Sequence, residues 1–420
     1  MTVDTRLPTD ALDADYMKAT RLYLNTIAHW PHEIFGPRTM RTRLFSIYHR
    51  IMLTSCVCIM ISEIILARYN SETHDLFYMG QDYLNILIMF VMIARSTLIL
   101  QKKYRTLIHT FVTKFHLEKF KNASEFAAQE HRWITKICRA VTIVMLIQCL
   151  IGPVMFNVVP IYQTYQAGMF NTRQHRPLNS TFTHSVNYFF ILDQYKDMPG
   201  YITVFILNLY ISYICAALFC GLDLLIYIMV FHIMGHINIL VNRMKTFPRP
   251  KKDDEFSPEH FEQYNEEASK ILKDLIKYDV LIKDSLDNTS GTFGLQLCIC
   301  LFYHQVSGCI CLLEISPMTP EALGRYIPLT IIMYNQLIQM SIIFELIASK
   351  SDSIPDEVYG LPWELMDARN RRTVLVFLRN AQRGKALKAG GLVPVGVITM
   401  SSIIKNSLSY FIILKTLGSN

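Results

Sequence analysis

The chain reads as an all-α polytopic membrane protein with seven transmembrane helices, a cytoplasmic N-terminus and an extracellular C-terminus. Three observations carry this fold class. Of 420 residues, 51% are hydrophobic and 18% charged, and the apolar residues gather into runs long enough to cross a bilayer. Lys and Arg alternate between flanks, with 7 in residues 1–50, 1 in 67–76, 8 in 101–136, 3 in 156–200, 9 in 236–290, 1 in 314–325 and 8 in 349–391. Cytoplasmic flanks retain positive charge, so the rich flanks lie inside and the number of crossings is odd. Seven-helix G-protein-coupled receptors have the opposite orientation.

Residues 1–44 form a cytoplasmic N-terminal segment without an apolar h-region, so the first span inserts without a cleavable signal. The spans fall at 45–67, 77–100, 137–156, 201–235, 292–313, 326–348 and 392–417. Gln81, Asp82 and Arg95 make the second the weakest. The first four occupy 45–235, with a long outer loop at 157–200. The fourth exceeds the bilayer and continues into a cytoplasmic helical extension at 236–291. Spans five and six lie within 292–348. A cytoplasmic loop with a short helix follows at 349–391, and the last span with its outer tail fills 392–420.

That extension has a seam. Phe261, Tyr264, Ala268, Ile271, Leu275, Tyr278 and Ile282 recur at steps of three and four, and Ser257-Pro258-Glu259 predicts a helix start. The segment Arg372–Lys388 is a second amphipathic helix, with Val374, Leu375, Phe377 and Leu378 opposed to Arg379, Gln382 and Arg383. Gly390 and Gly391 break it before the last span.

The ten cysteines all lie in apolar stretches and read as small buried hydrophobes. Cys298/Cys300 and Cys309/Cys311 have metal-like spacing, but residues two apart on a helix diverge; no metal or cofactor is expected. HExxH, P-loop and GxSxG motifs are absent, so the chain is not an enzyme. The net charge of +7 sits in the inner flanks and implies no nucleic acid. No internal repeat points to an inverted-repeat transporter. Of three sequons, only Asn179 falls outside, in the long outer loop, and is the expected glycosylation site; Asn122 and Asn288 are cytoplasmic.

The last span carries Ser402, Lys405, Ser409 and Thr416 along one stripe. Such a stripe is hidden from lipid, so it either packs on a neighbouring helix or lines a water-filled path. Ile412 and Ile413 flank it near the outer end, where aliphatic side chains gate by dewetting.

The ending Ser407-Leu408-Ser409-Tyr410-Phe411-Ile412-Ile413-Leu414-Lys415 resembles the C-terminal signature of insect odorant receptors. The run Tyr359-Gly360-Leu361-Pro362-Trp363-Glu364, with Met366-Asp367 and Asn370-Arg371-Arg372, and Val393-Pro394-Val395-Gly396-Val397 look closest to moth odorant and pheromone receptors. The resemblance implies a ligand-gated, non-selective cation channel, a tetramer of this tuning subunit with the odorant receptor co-receptor, and a cytoplasmic helical anchor domain that the pieces at 236–291 and 349–391 fit. It implies a volatile odorant or pheromone as ligand and a multi-pass place in the plasma membrane of olfactory sensory neuron dendrites. Carried over, the gate positions are Ile413 and Leu417; the helical wheel favours Ile412, Ile413 and Thr416, with Ser409 on the same stripe. Gustatory receptors of the same superfamily end in a Thr-Tyr motif followed by Gln-Phe, which Ser409-Tyr410 does not match.

In that family the odorant pocket lies in the outer half, between the second, third, fourth and sixth helices. The corresponding positions are Phe77, Tyr83 and Phe90; Gln148, Gly152 and Phe156; Phe205, Asn208 and Leu209; and Tyr334 with Asn335. Volatile ligands offer few hydrogen bonds, so shape and dispersion discriminate among them. Gln148, Asn208 and Asn335 are the sharper candidates, because a buried amide needs a partner: a ligand head group or another helix.

Overall fold

The computed structural model describes residues 9–37, 39–71, 79–171, 180–189, 193–249, 258–384 and 386–418. Short helices α1 (Thr9–Asp13), α2 (Asp15–Thr26) and α3 (His32–Phe35) open the chain. Then come α4 (Met40–Asn70), α5 (Gly80–Ser96), α6 (Lys102–Thr110), α7 (Glu125–Gln166), α8 (Met198–Lys245), α9 (Pro258–Ile315) and α10 (Pro320–Asp352). Helices α11 (Ile354–Tyr359) and α12 (Ala368–Ala381) precede a two-residue hairpin, β1 (Lys388–Ala389) with β2 (Val393–Pro394). Helix α13 (Val397–Gly418) ends the described chain. Among the described residues α4, α5, α7, α8, α9 and α10 are long and apolar enough to cross a membrane, and the shorter apolar α13 supplies the seventh span.

Several helices outrun the bilayer. At 1.5 Å per residue, the 58 residues of α9 reach about 87 Å, against a hydrocarbon core of about 30 Å. The second apolar stretch is broken instead: α5 stops at Ser96 and Thr97–Leu100 tighten into a 3-10 turn. Helix α8 is the axis of the bundle. Of its most apolar window 83% is buried, against 22% for α7, because α8 is apolar all round and α7 turns most of that window to lipid.

At the basic end, α2 and the segment after α6 dock on α8 through imidazoles. The Leu117 N–H donates to His232 Nδ1 and the Glu118 N–H to His116 Nδ1, each at 3.2 Å. Both rings therefore carry their proton on Nε2, and both Nε2 atoms meet the Tyr16 hydroxyl, at 2.8 and 3.0 Å. Burial pushes the pKa of His116 down to about 3.

The described part of α9 runs from Pro258, beside the Pro-Glu pair that predicts a helix start. Its seam is Ala268, Leu272, Leu275, Tyr278, Ile282 and Leu286, all buried, so Leu272 replaces the half-buried Ile271, and Phe261 is exposed. Asn265 docks the following motif: its Oδ1 accepts from the Asp367 N–H at 2.7 Å and its carbonyl from Asn370 Nδ2 at 2.9 Å. Asp367 caps α12. Val374 and Phe377 are buried whereas Leu375 is exposed. The helix stops at Ala381, short of Lys388, and Gly390 and Gly391 turn the hairpin at φ 59 and 77°.

Candidate functional site

A cavity of about 260 Å³ lies among α5, α7, α8 and α10, with α4, α9 and the outer loop closing it. Its walls are mostly apolar, and Met89, Met92, Met145, Met155 and Met333 give them unusual pliancy. Val186 and Tyr188 of the outer loop reach into it.

Prolines explain how that loop is held. Pro160 has no N–H for the Phe156 carbonyl, and the Ser185 hydroxyl donates to that carbonyl instead at 3.1 Å. Asn157 Nδ2 donates to Ser212 Oγ on α8 at 3.0 Å, while its Oδ1 lies 3.0 Å from Ser185 Oγ. Asn208 Nδ2 donates to the Val186 carbonyl at 3.1 Å, and the Tyr188 hydroxyl donates to Asn208 Oδ1 at 2.7 Å. Gln81 Nε2 adds a bond from α5 to the Ser185 carbonyl at 2.7 Å.

Of the residues singled out from the sequence, Gln148, Gly152, Phe156, Asn208 and Asn335 line the cavity. Asn208 gives one N–H and its amide oxygen to the loop. Tyr83, Phe90 and Leu209 are exposed on the bundle surface. Phe205 stacks on Tyr201, and Tyr334 turns toward α13. Phe77 and Asn179 lie outside the described residues. Several polar participants escaped sequence reasoning, among them Glu63, Asn85, Ser185, Ser212 and Gln336, which line or close the cavity. Glu63 had a usable signal, an acid inside an apolar span. The outer loop had none, since its seat is set by partners remote in sequence.

Beneath the cavity, Arg95 forms an ion pair with Asp223 at 2.9 Å. Two cavity-lining side chains touch this pair. Gln336 Nε2 donates to Asp223 Oδ2 at 2.8 Å, and the Arg95 guanidinium stands 4.5 Å above the Phe219 ring. The cavity floor is thus continuous with a charged tie among α5, α8 and α10.

Helix α13 packs on α9 and α10 by one side only. Ser407 is fully buried, with its hydroxyl oxygen 3.3 Å from Gln305 Nε2, whereas Ile412 and Ile413 are 61% and 53% exposed. Ser402, Lys405, Ser409 and Thr416 share the exposed side, and the hydroxyls of Ser409 and Thr416 bond back to the Lys405 and Ile412 carbonyls. Lys405 has no carboxylate partner among the described residues. The side chain of Leu417 lies outside the described residues.

An all-α, seven-span bundle with an internal apolar cavity and one polar-striped span turned outward is the class of protein defined by these features. The 7tm Odorant receptor family matches residues 79–408, and the chain belongs to that family, which is not one of enzymes. Its fold is similar to the insect olfactory receptor OR5 from Machilis hrabei, with a TM-score of 0.75 at 11% identity, covering 95% of this chain and 97% of that one. The same receptor in complex with eugenol gives 0.75 at 13% identity, covering 97% and 100%. Odorant receptor 85c of Drosophila melanogaster is 25% identical over 154 residues, which is 36% of this chain and 39% of that protein's length.

Proposed function

We propose that this chain is the odorant-binding, tuning subunit of a ligand-gated, non-selective cation channel that assembles with the odorant receptor co-receptor into a heterotetramer. The observation that carries this reading is the exposed side of α13. A span exposing Ser402, Lys405, Ser409 and Thr416 to hydrocarbon is costly, and the cost vanishes where several such helices surround an aqueous axis. Ile413 and Leu417, with Ile412, then form the hydrophobic gate, and the inner ends of α8, α9 and α10 with α12 serve as the anchor between subunits.

The ligand reading rests on the cavity. Its pliant apolar wall suits a volatile lipophilic molecule recognised by shape and dispersion, and OR5, with a similar fold, has been solved with eugenol. Gln148, Gly152, Phe156, Asn208 and Asn335 contribute to that wall. The moth-like motifs at residues 359–372 and 393–397 favour a pheromone component detected at the dendrites of olfactory neurons. Asn179 is the glycosylation site.

Expression with and without a co-receptor, followed by current recording to a panel of volatile acetates, aldehydes and alcohols, tests this function. Odorant-evoked cation current only in the co-expressed cells is the expected result. Silence to every volatile in cells with both subunits at the surface overturns it.

A further inference from the structure

Glu63 lies two turns from the outer end of α4. It lines the cavity, is 5% exposed, and its Oε2 has no hydrogen-bond partner among the described residues. No cation pairs with it among the described residues. Its neighbour Ser62 serves the outer loop instead: its hydroxyl donates to the Phe189 carbonyl at 3.2 Å and accepts from the Phe189 N–H at 3.0 Å. A buried polar oxygen without a partner is costly, and the open side of this one is the cavity.

The chemistry of the missing partner follows from what a carboxyl presents. Ionised, it only accepts hydrogen bonds; protonated, it also donates one. An ester or aldehyde oxygen can only accept, and a hydrocarbon does neither. A hydroxyl donates and accepts, so it satisfies the carboxyl in either state. The rest of the wall asks for hydrocarbon: Met89, Met92, Met145 and Ile211 offer dispersion contacts to a chain. We propose that Glu63 is the polar anchor of this cavity and that it selects apolar alcohols, with the hydroxyl on the carboxyl and the hydrocarbon along the methionines. This rests on the cavity being the odorant site.

The test compares straight-chain primary alcohols with acetates and alkanes of matched length on the wild-type chain, Glu63→Gln and Glu63→Leu, each with the co-receptor. Two readouts are taken: current, and ligand-induced thermal stabilisation of the purified complex. Glu63→Leu should raise the effective alcohol concentration about tenfold or more, the loss of a hydrogen bond to a buried carboxyl, and change acetates less than about threefold. Glu63→Gln, which keeps a donor and an acceptor, should retain the alcohol preference. On the wild-type chain, alcohols should outperform alkanes in both readouts. Equal shifts for alcohols and acetates, or no shift at all, overturn the anchor role while leaving the channel reading intact. Alcohol-specific stabilisation lost in Glu63→Leu, with no current from any volatile, supports the anchor and overturns the channel reading.

Discussion

Arg95 donates through Nη2 to Asp223 Oδ1 at 2.9 Å, and the two side chains are 3% and 2% exposed. Arg95 Nη1 adds bonds to the Leu218 and Phe219 carbonyls, each at 3.2 Å. Removing one partner of a buried pair leaves the other charge uncompensated. Asp223→Ala should therefore destabilise the protein by about 3–5 kcal/mol, read as a lower unfolding temperature of the solubilised protein. Pairing it with Arg95→Met should recover part of that loss. Equal destabilisation of the single and double variants would show that the ion pair is not the tie described.

Gly308 on α9 faces Tyr334 of α10 and Ser407 of α13. A Cβ there would lie 2.8 Å from the Tyr334 hydroxyl and 2.9 Å from Ser407 Oγ, so Gly308→Ala must push both aside. Met333 and Gln336, beside Tyr334 on α10, line the cavity. The substitution should therefore change channel opening at saturating odorant while altering odorant binding less than about twofold, a separation that paired current and binding measurements resolve.

If the aliphatic side chains of α13 seal the pore, shortening one should loosen the seal. Ile413→Ala should increase odorant-independent current or relax ion selectivity. Recordings of leak and reversal potential check this, and values matching the wild type would count against the gate.

His116 gives a pH dependence. Its pKa is lowered by burial from 6.5 to about 3, so below 6.5 the unfolded chain binds protons that the folded chain refuses. The stabilisation is fully present above pH 6.5 and is lost as pH falls from there toward 3. Protonation would also take Nδ1 from the Glu118 N–H. The solubilised protein should unfold at a lower temperature at pH 5 than at pH 7.5, and His116→Gln should flatten that dependence.

Composition, apolar length and loop charge are properties of segments, which is why the number of spans was legible. The helical wheel of α13 was equally legible, because one helix carries its whole stripe. It left open whether that stripe faced a neighbour or an axis. The cavity was legible only in part. Periodicity places Phe90 and Met89 on different faces of α5, but not which of them faces inward; the packing of α4, α8 and α9 around α5 decides that.

By itself, the sequence determined an all-α membrane protein with seven apolar spans and a polar-striped last helix, because bilayer thickness and helical repeat act locally along the chain. The tertiary structure decided that Glu63 faces a cavity, that Asn208 spends its amide on the outer loop, and that Arg95 finds Asp223. Those outcomes depend on groups up to 273 residues apart, Glu63 and Gln336, which line one cavity only when the helices pack.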